Sequence, residues 1–380
     1  MSDNKLYERY QRQMLLKEIG EAGQQKLLQS KVLVVGAGGL GCPALQYLAA
    51  AGVGTIGIVD DDVVALTNLH RQILFTTADI GLSKAERAAA VLEKLNTDIK
   101  INPYNFRITN QNALELIEEY DIIVDGTDNF SSRYLLNDAC VLLNKPLVYA
   151  AISRFEGQVA IFNCTAEDGK AVNYRDLFPV PPADNEVMNC AVAGVLGVLP
   201  GIIGSMQANE TIKLITGIGQ PLINRLLTYN ALTNQSYELL LPPSEPTASF
   251  IPKDKTAFKN FDYDWACSSE KSSFEIDANL FDSLLSNNNV TILDVREFGE
   301  QPIVTEFSHV HIPLSELNGK KLALDGDILI TFCQSGGRSL QAAKLLSDRF
   351  GNSKLIYSLR GGIVKWKVQA AKSNNTMEKD

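Results

Sequence analysis

Two glycine-rich stretches in this 380-residue sequence have the residue types needed to hold an anion or an activated sulfur. The first, GAGGLG (36–41), follows an apolar run and matches G-x-G-x-x-G, in which backbone N–H groups approach a phosphate at a helix N-terminus. The second, CQSGGR (333–338), also follows an apolar run, and it begins with a cysteine. Inward-facing N–H groups, a helix dipole and Arg338 would stabilise a thiolate or persulfide there.

Charged residues after the first stretch help to decide which nucleotide it binds. Asp60 ends the next apolar run, where an acid commonly accepts hydrogen bonds from ribose hydroxyls. The glycines alone leave open a dinucleotide, ATP or a tight turn without ligand. Arg71 and Lys84 favour ATP, because a triphosphate must be neutralised while its α-phosphoryl group is attacked.

The composition is that of an ordinary globular protein, with 45% hydrophobic and 21% charged residues. The length predicts two or three domains. A formal net charge of −9 provides no field to attract nucleic acid or acidic lipid, so we expect neither as a partner. The polar N-terminus and the lack of an apolar run of about 18 residues predict a cytoplasmic protein without a membrane span.

Apolar runs without alternation predict the strands that position these residues. They lie at 31–35, 55–59, 120–129 with polar residues at its end, 146–152, 290–297, 327–333 and 354–362. Helical stretches between them indicate βαβ units and parallel sheets. A proline-rich break begins at 241. The predicted fold is α/β, with a Rossmann-like domain (1–240), a linker (241–274), a smaller α/β domain (275–372) and a disordered tail (373–380).

A series of motifs over about residues 5–240 resembles the sulfur-carrier and ubiquitin-activating adenylyltransferases, including the molybdopterin-synthase and thiamine sulfur-carrier enzymes. The motifs are ERYQRQ (8–13), GAGGLG (36–41), VDDD (59–62), TNLHRQ (67–72), LSKAE (82–86), DGTDN (125–129) and residues 190–214. The resemblance implies a ubiquitin-activating-type adenylation domain and a homodimer. It also implies Mg-ATP-dependent adenylation of the C-terminal glycine of a small ubiquitin-like carrier ending in Gly-Gly.

The same resemblance assigns roles to individual residues. The expected nucleotide-binding residues are Gly39, Asp60, Asn68, Arg71, Lys84, Asp128 and Asn129, with Arg12 reaching the ATP of the neighbouring subunit. Asp128 would hold Mg²⁺, and with Arg71 it would serve catalysis by positioning and charge neutralisation. The alternatives are a helix-capping role for Asp128 and exposed helix charges for Arg12 and Lys84.

The cysteines form no CxxC pair, and this bears on metal binding. Relatives hold a structural zinc with two CxxC pairs, but Asn173 and Asp176 stand at the first pair and no cysteine stands at the second. We therefore predict no structural zinc. Cys190, before a helix, could attack the acyl-adenylate, resolve a sulfur-bridged intermediate, or be a core residue. Cys42, Cys140 and Cys164 are expected in the core, and Cys267 is left open.

Residues of about 275–370 resemble the rhodanese-type sulfurtransferases. Four residues separate Cys333 from Arg338, whereas tyrosine-phosphatase-like enzymes have five. LDVRE (293–297), HIPL (311–314) and LRGGIVKW (359–366) extend the resemblance. It implies a persulfide on Cys333, held by a loop of Gln334, Ser335, Gly336, Gly337 and Arg338.

The two resemblances together predict an adenylyltransferase with sulfurtransferase activity, in which one domain activates the carrier's carboxylate and the other supplies sulfur. A cysteine desulfurase or thiosulfate would load Cys333. The carrier, from the molybdopterin or the thiamine pathway, stays open. A non-catalytic sulfur-relay scaffold and a nicotinamide-dependent oxidoreductase are the alternatives.

Overall fold

The computed structural model forms two compact units, Met1–Cys267 and Ser268–Asp380. It describes residues 3–166, 169–179, 194–243, 250–261, 263, 274–285, 287, 289–300, 302–317, 324–334 and 336–367. Among these residues, no helix has both the length and the apolar character that a membrane crossing requires.

The first unit is built on an eight-stranded sheet. Its strands are β1 (Lys31–Val35), β2 (Thr55–Val59), β3 (Lys100–Tyr104), β4 (Ile122–Asp125), β5 (Leu147–Ser153), β6 (Glu156–Phe162), β7 (Arg225–Asn230) and β8 (Gln235–Leu240). The order is β3-β2-β1-β4-β5-β6-β7-β8. The first five strands along the chain pair in parallel, as predicted, and β6, β7 and β8 extend the sheet with antiparallel pairing.

Helices cover both faces of this sheet. They are α1 (Asp3–Met14), α2 (Gly20–Gln29), α3 (Gly41–Ala51), α4 (Lys84–Leu95), α5 (Ala113–Glu118), α6 (Phe130–Leu143), α7 (Tyr174–Leu177), α8 (Val198–Thr216) and α9 (Lys255–Asn260). Because side chains alternate along a strand, β1 contributes to two cores. Val32 and Val34 pack in the cluster that contains Leu45 of α3, whereas Leu33 joins the cluster that contains Leu135 of α6.

Part of the predicted linker belongs to the first unit. Helix α9 lies within it, and Phe258 of this helix is fully buried. The side chain of Asn110 donates hydrogen bonds to the carbonyls of Lys259 and Phe261 at 2.8 and 2.9 Å. These contacts attach the segment to the turn that precedes α5.

The second unit has a five-stranded parallel sheet. Its strands are β9 (Glu275–Ile276), β10 (Val290–Asp294), β11 (Val310–His311), β12 (Ile328–Phe332) and β13 (Leu355–Leu359), in the order β11-β10-β12-β13-β9. Its helices are α10 (Ala278–Leu284) and α11 (Gly337–Phe350). Leu329 and Ile330 of β12 enter different clusters, so both faces of this sheet are also buried.

Candidate functional sites

The glycine-rich turn lies where β1 ends, between β1 and the start of α3. Gly36 has a φ of +95°, and a Cβ there would stand 2.7 Å from the carbonyl oxygen of Gly126, which follows β4. Only glycine fits this close approach. In the sheet order, β2 and β4 flank β1 on opposite sides, so this is the point where the strand order reverses. Open α/β sheets bind ligands in the crevice at such a point.

Asp60 ties the end of β2 to this turn. Its Oδ2 atom accepts a hydrogen bond from the backbone N–H of Ala37 at 2.8 Å, and its Oδ1 accepts one from Asp62 N–H at 2.9 Å. Burial raises the pKa of this carboxyl group, and the nearby charge of Lys84 opposes the shift. The predicted ribose-binding acid therefore also fixes the turn that would hold the phosphates.

Two of the predicted cationic residues, Arg71 and Lys84, lie close to the glycine-rich turn or to Asp60. A Cβ placed on Gly39 would stand 3.6 Å from Arg71 Cδ. The Arg71 guanidinium donates a hydrogen bond to the Thr67 carbonyl at 2.9 Å, and no carboxylate of the described residues pairs with it. Lys84 is only 5% exposed, and its Nζ lies 2.8 Å from Asp62 Oδ2. The alternative of an exposed lysine is therefore wrong for Lys84.

The predicted asparagines both fix local backbone. Asn68 Oδ1 accepts a hydrogen bond from Ala65 N–H at 3.0 Å. Asn129 is the N-cap of α6, and its Oδ1 accepts from Ser132 N–H at 2.9 Å. A capping role for Asp128 is therefore wrong, and the exposed Asp128 carboxylate stands directly before the cap. Arg12 is also exposed, in the last turn of α1.

A buried network holds the loop that carries Asp128, and sequence reasoning missed its members. Asp125 Oδ1 accepts hydrogen bonds from the N–H and hydroxyl of Thr127 at 2.9 and 2.6 Å, whereas Oδ2 has no partner among the described residues. Burial raises the pKa of Asp125. Gln207 of α8 donates to the Asp125 carbonyl at 2.8 Å. The signal was present, because Asp125 and Thr127 lie within the quoted motif 125–129 and Gln207 lies within 190–214.

Gln72 is a further missed residue beside the turn. It is 4% exposed, and its Nε2 atom lies 3.8 Å from where a Cβ on Gly38 would stand. Its Oε1 atom has no hydrogen-bond partner in the described part of the chain. The turn therefore has a polar amide as well as Arg71 next to it.

These residues fit a magnesium nucleotide. No group of three or more His, Cys, Asp or Glu side chains in the described ranges could hold a metal. Mg²⁺ on a nucleotide does not need such a group, since it is bound by one or two carboxylates together with phosphates and water. The exposed Asp128 carboxylate is of this kind, and Asp128 follows Thr127, whose backbone nitrogen lies 3.3 Å from where a Cβ on Gly36 would stand.

The positions of the first zinc-ligand pair are occupied by a hydrogen-bonded turn. Asp176 Oδ2 accepts from the backbone N–H of Asn173 at 2.8 Å, and Asn173 Oδ1 accepts from Arg175 N–H at 2.9 Å. Arg175 makes a buried bidentate pair with Asp138, at 2.8 and 2.7 Å. The Tyr263 hydroxyl donates to the same carboxylate at 2.8 Å. The absence of structural zinc stays a prediction.

The cysteines of the first unit differ in burial. Cys42 and Cys140 are fully buried, as expected for core residues. Burial raises the pKa of Cys42 to about 12 and also raises that of Cys140. Cys164 is only partly buried and packs against the core. Cys190 and Cys267 lie outside the described residues, and so does Ser335 of the predicted persulfide loop.

In the second unit, Cys333 lies directly after β12 and is fully buried. Its Sγ atom accepts a hydrogen bond from the backbone N–H of Gly336 at 3.1 Å. Gly336 has a φ of +102° and precedes α11, so its backbone conformation turns the N–H toward the sulfur. The Cys333 carbonyl accepts from Ile363 N–H at 2.8 Å. Gln334 and Gly337 are exposed. One backbone N–H dipole therefore points its positive end at this sulfur.

Arg338 is held by a carboxylate that sequence reasoning missed. Its Nη1 and Nη2 atoms donate to Oε1 and Oε2 of Glu300 at 2.6 and 2.7 Å. The expected cation of the loop is thus paired. Asp294 and Arg296, at the end of β10, form a second, buried pair with Nη2–Oδ2 at 2.6 Å.

Comparisons with known proteins agree with this architecture. Residues 10–249 match the ThiF family, and residues 277–369 match the rhodanese-like domain. A probable adenylyltransferase/sulfurtransferase, MoeZ of Mycobacterium tuberculosis, is 42% identical over 95% of this chain and 93% of its own length. Adenylyltransferase and sulfurtransferase MOCS3 of Aedes aegypti is 40% identical over 94% and 86%.

A relative without the second unit and a solved structure extend the comparison. The sulfur carrier protein adenylyltransferase of Thermus thermophilus is 48% identical over 68% of this chain and 96% of its own length. The crystal structure of E. coli MccB with MccA-N7isoASN has a TM-score of 0.55 at 24% identity, covering 63% of this chain and 72% of MccB. This likeness supports the fold of the first unit.

The predicted α/β fold and the predicted enzyme class, an adenylyltransferase with sulfurtransferase activity, are confirmed by these relatives. The identities extend through both units, so the combination of domains is shared and not only the glycine-rich turn. The chain therefore belongs to the ThiF family, as a member with a C-terminal rhodanese-like domain.

Proposed function

We propose that this chain adenylates the C-terminal glycine of a small ubiquitin-like sulfur carrier with Mg-ATP, and then transfers to it the sulfur of a Cys333 persulfide. The observation that carries the proposal is the placement of Arg71, without a carboxylate partner among the described residues, against the glycine-rich turn at Gly39. The name of the Thermus relative, a sulfur carrier protein adenylyltransferase, supports the carrier as substrate.

In the adenylation step, the carrier's carboxylate attacks the α-phosphorus and pyrophosphate leaves. The chain contributes position and charge rather than a nucleophile. Arg71 and Lys84 neutralise the phosphates, and Asp60 binds the ribose while it fixes the turn. Asp128 would hold Mg²⁺, which supplies further neutralisation of the phosphate charge.

In the sulfur step, the terminal sulfur of the Cys333 persulfide attacks the acyl-adenylate carbonyl and AMP leaves. The product is an acyl disulfide between Cys333 and the carrier. A second thiolate, from Cys190 or an added reductant, attacks Cys333 Sγ, so that the sulfur–sulfur bond breaks and the carrier leaves as a thiocarboxylate. The Gly336 N–H, which donates to Sγ, stabilises the Cys333 thiolate before it is loaded.

Intact-mass spectrometry of candidate carriers tests the proposal. Each Gly-Gly carrier, from the molybdopterin and thiamine pathways, is incubated with the chain, Mg-ATP and a sulfur donor with reductant. We expect one carrier to gain the mass that corresponds to replacing a carboxylate oxygen by sulfur, and expect Cys333→Ala to abolish this gain but not pyrophosphate release. Sulfur transfer that persists in Cys333→Ala would contradict the sulfur step.

The adenylation site has its own test. Arg71→Ala and Asp128→Ala should each abolish carrier-dependent pyrophosphate release, and unimpaired release in either variant would refute the nucleotide assignment. A chain that neither releases pyrophosphate nor transfers sulfur with any carrier would favour the sulfur-relay scaffold.

The homodimer can be tested by complementation. If Arg12 serves the neighbouring subunit, a mixture of the inactive variants Arg12→Ala and Asp128→Ala forms some heterodimers with one intact site. Random pairing would restore about a quarter of the activity. No recovery after the subunits have exchanged would show that Arg12 acts within its own subunit or not at all.

A further inference from the structure

A carboxylate clamps the cation of the Cys333 loop. Glu300 lies in the segment between β10 and β11, and both its oxygens accept hydrogen bonds from Arg338, at 2.6 and 2.7 Å. The backbone N–H of Glu297 donates a third bond to Glu300 Oε1 at 2.7 Å. The bidentate geometry and the backbone bond fix the carboxylate. The pair remains in contact with solvent, with side-chain exposures of 21% and 24%.

Both members of the pair are charged at neutral pH. The hydrogen bonds from Arg338 lower the pKa of Glu300, and those to Glu300 raise the pKa of Arg338. The pair therefore has no net charge. The nearby Arg296 is likewise bound by Asp294, with its Nε and Nη2 atoms on the carboxylate. Within the described part of this region, each of these two arginines has its own carboxylate.

Sulfur donors differ in how much charge they bring to such a site. When a persulfide donor loads Cys333, the thiolate attacks the terminal sulfur, a new sulfur–sulfur bond forms and the donor thiolate leaves. When thiosulfate is the donor, the thiolate attacks the sulfane sulfur, the sulfur–sulfur bond of thiosulfate breaks and sulfite leaves with the electron pair. The second route brings a dianion to the loop whose cation, Arg338, is paired with the Glu300 carboxylate, and this carboxylate repels the dianion.

We propose that Glu300 is a specificity-determining residue of the sulfur site. By neutralising Arg338 it lowers the rate at which dianionic donors load Cys333, so that a persulfide donor is preferred. This inference rests on the proposed sulfur transfer through Cys333. The Gly336 N–H bond to Sγ provides for one negative charge at the sulfur. The second negative charge of a dianionic donor would have to be stabilised by the Arg338 guanidinium, which is already paired with Glu300.

The test compares two donors on the full chain. The rate constant for persulfide formation on Cys333 is measured by intact mass, with thiosulfate or cysteine persulfide, and Cys333→Ser provides the background. Glu300→Gln keeps the shape and one acceptor for Arg338 but removes the charge. We expect its rate constant with thiosulfate to rise about tenfold and that with cysteine persulfide to stay within about twofold. Added salt should reduce the gain.

Glu306→Gln is the matched control. Glu306 is also a glutamate of the second unit with a cationic partner, Lys367 at 2.7 Å, and it accepts a backbone N–H bond from Thr305 at 2.9 Å. This variant should leave both rate constants within about twofold. Adding Arg338→Gln to Glu300→Gln should remove the gain with thiosulfate, because the freed guanidinium is what binds the dianion.

Other results would overturn the inference. An equal fall with both donors in Glu300→Gln, or an unchanged ratio of the two rate constants, would assign Glu300 a purely structural role. Glu300→Asp keeps the charge, and it should therefore keep the wild-type ratio even if both rates fall. If the wild-type chain loads Cys333 from neither donor, the proposed sulfur transfer itself is wrong.

Discussion

Replacing Asp138 by asparagine should destabilise the first unit strongly. The carboxylate is fully buried, accepts two hydrogen bonds from Arg175 and accepts a third from the Tyr263 hydroxyl. Removing one partner of a buried ion pair leaves the other charge unpaired, which costs about 3–5 kcal/mol. At about 2–4 °C per kcal/mol for a unit of this size, the melting temperature should fall by about 6–20 °C.

Differential scanning calorimetry of the full chain measures this shift. ATP should raise the transition of the unit that binds it, and this identifies the transition of the first unit. Tyr263→Phe leaves the ion pair intact, so its melting temperature should fall less than that of Asp138→Asn.

An exposed ion pair of the same unit provides the control. Lys255 and Glu118 lie 3.3 Å apart with side-chain exposures of 58% and 60%. An exposed pair contributes less than about 1 kcal/mol, so Glu118→Gln should shift the transition by no more than a few degrees. If Asp138→Asn lowers the melting temperature no further than this control does, the reasoning that the buried Arg175–Asp138 pair stabilises the first unit is refuted.

Three further outcomes are expected. Lys84→Met should abolish carrier-dependent pyrophosphate release, since the buried ammonium beside Asp62 neutralises phosphate; release at the wild-type rate would remove Lys84 from the site. A chelator should leave the calorimetric transition of the first unit unchanged, and stoichiometric zinc in chelator-washed protein would contradict this prediction. The lowered pKa of Glu300 adds stability that is present above its ordinary value of 4.5 and is lost as the pH falls through the lower folded value. In Glu300→Gln, the free energy of unfolding of the second unit should therefore fall less steeply as the pH is lowered. An unchanged dependence on pH would contradict the pairing.

The sequence predicted the parts of the fold that have a strong local signal. Strands β1, β2, β4 and β12 are buried on both faces, and each is a run of apolar residues without alternation. Strand β8 has the opposite character, because all its residues are exposed. It is held by its ladder with β7 rather than by side-chain burial, so hydrophobic patterning alone did not predict it.

The same distinction applies to the sites. The Cys333 loop and the turn at Gly36 could be found because their function depends on a compact run of residue types. The Glu300–Arg338 pair joins residues that are 38 positions apart, so neither residue indicates the other locally. Asn129, not Asp128, caps α6, and a shift of one residue is below the resolution of capping patterns.

The arginines of the two sites differ in their partners, and the charge of the proposed ligands explains why. A triphosphate brings several negative charges, so besides Lys84, which is paired with Asp62, its site needs a cation without a carboxylate partner. The Arg71 guanidinium bonds only to a carbonyl and to the His70 ring in the described residues. A persulfide brings one charge, for which a backbone N–H suffices, and Arg338 is already neutralised.

Salt screens interactions between ions far more than it affects a dipole in direct contact with a buried sulfur. Raising the ionic strength should therefore weaken ATP binding by the first unit markedly, while the loading of Cys333 from cysteine persulfide changes little. Equal salt dependence of both steps, measured on one preparation of the full chain, would show that a free cation also acts at the sulfur.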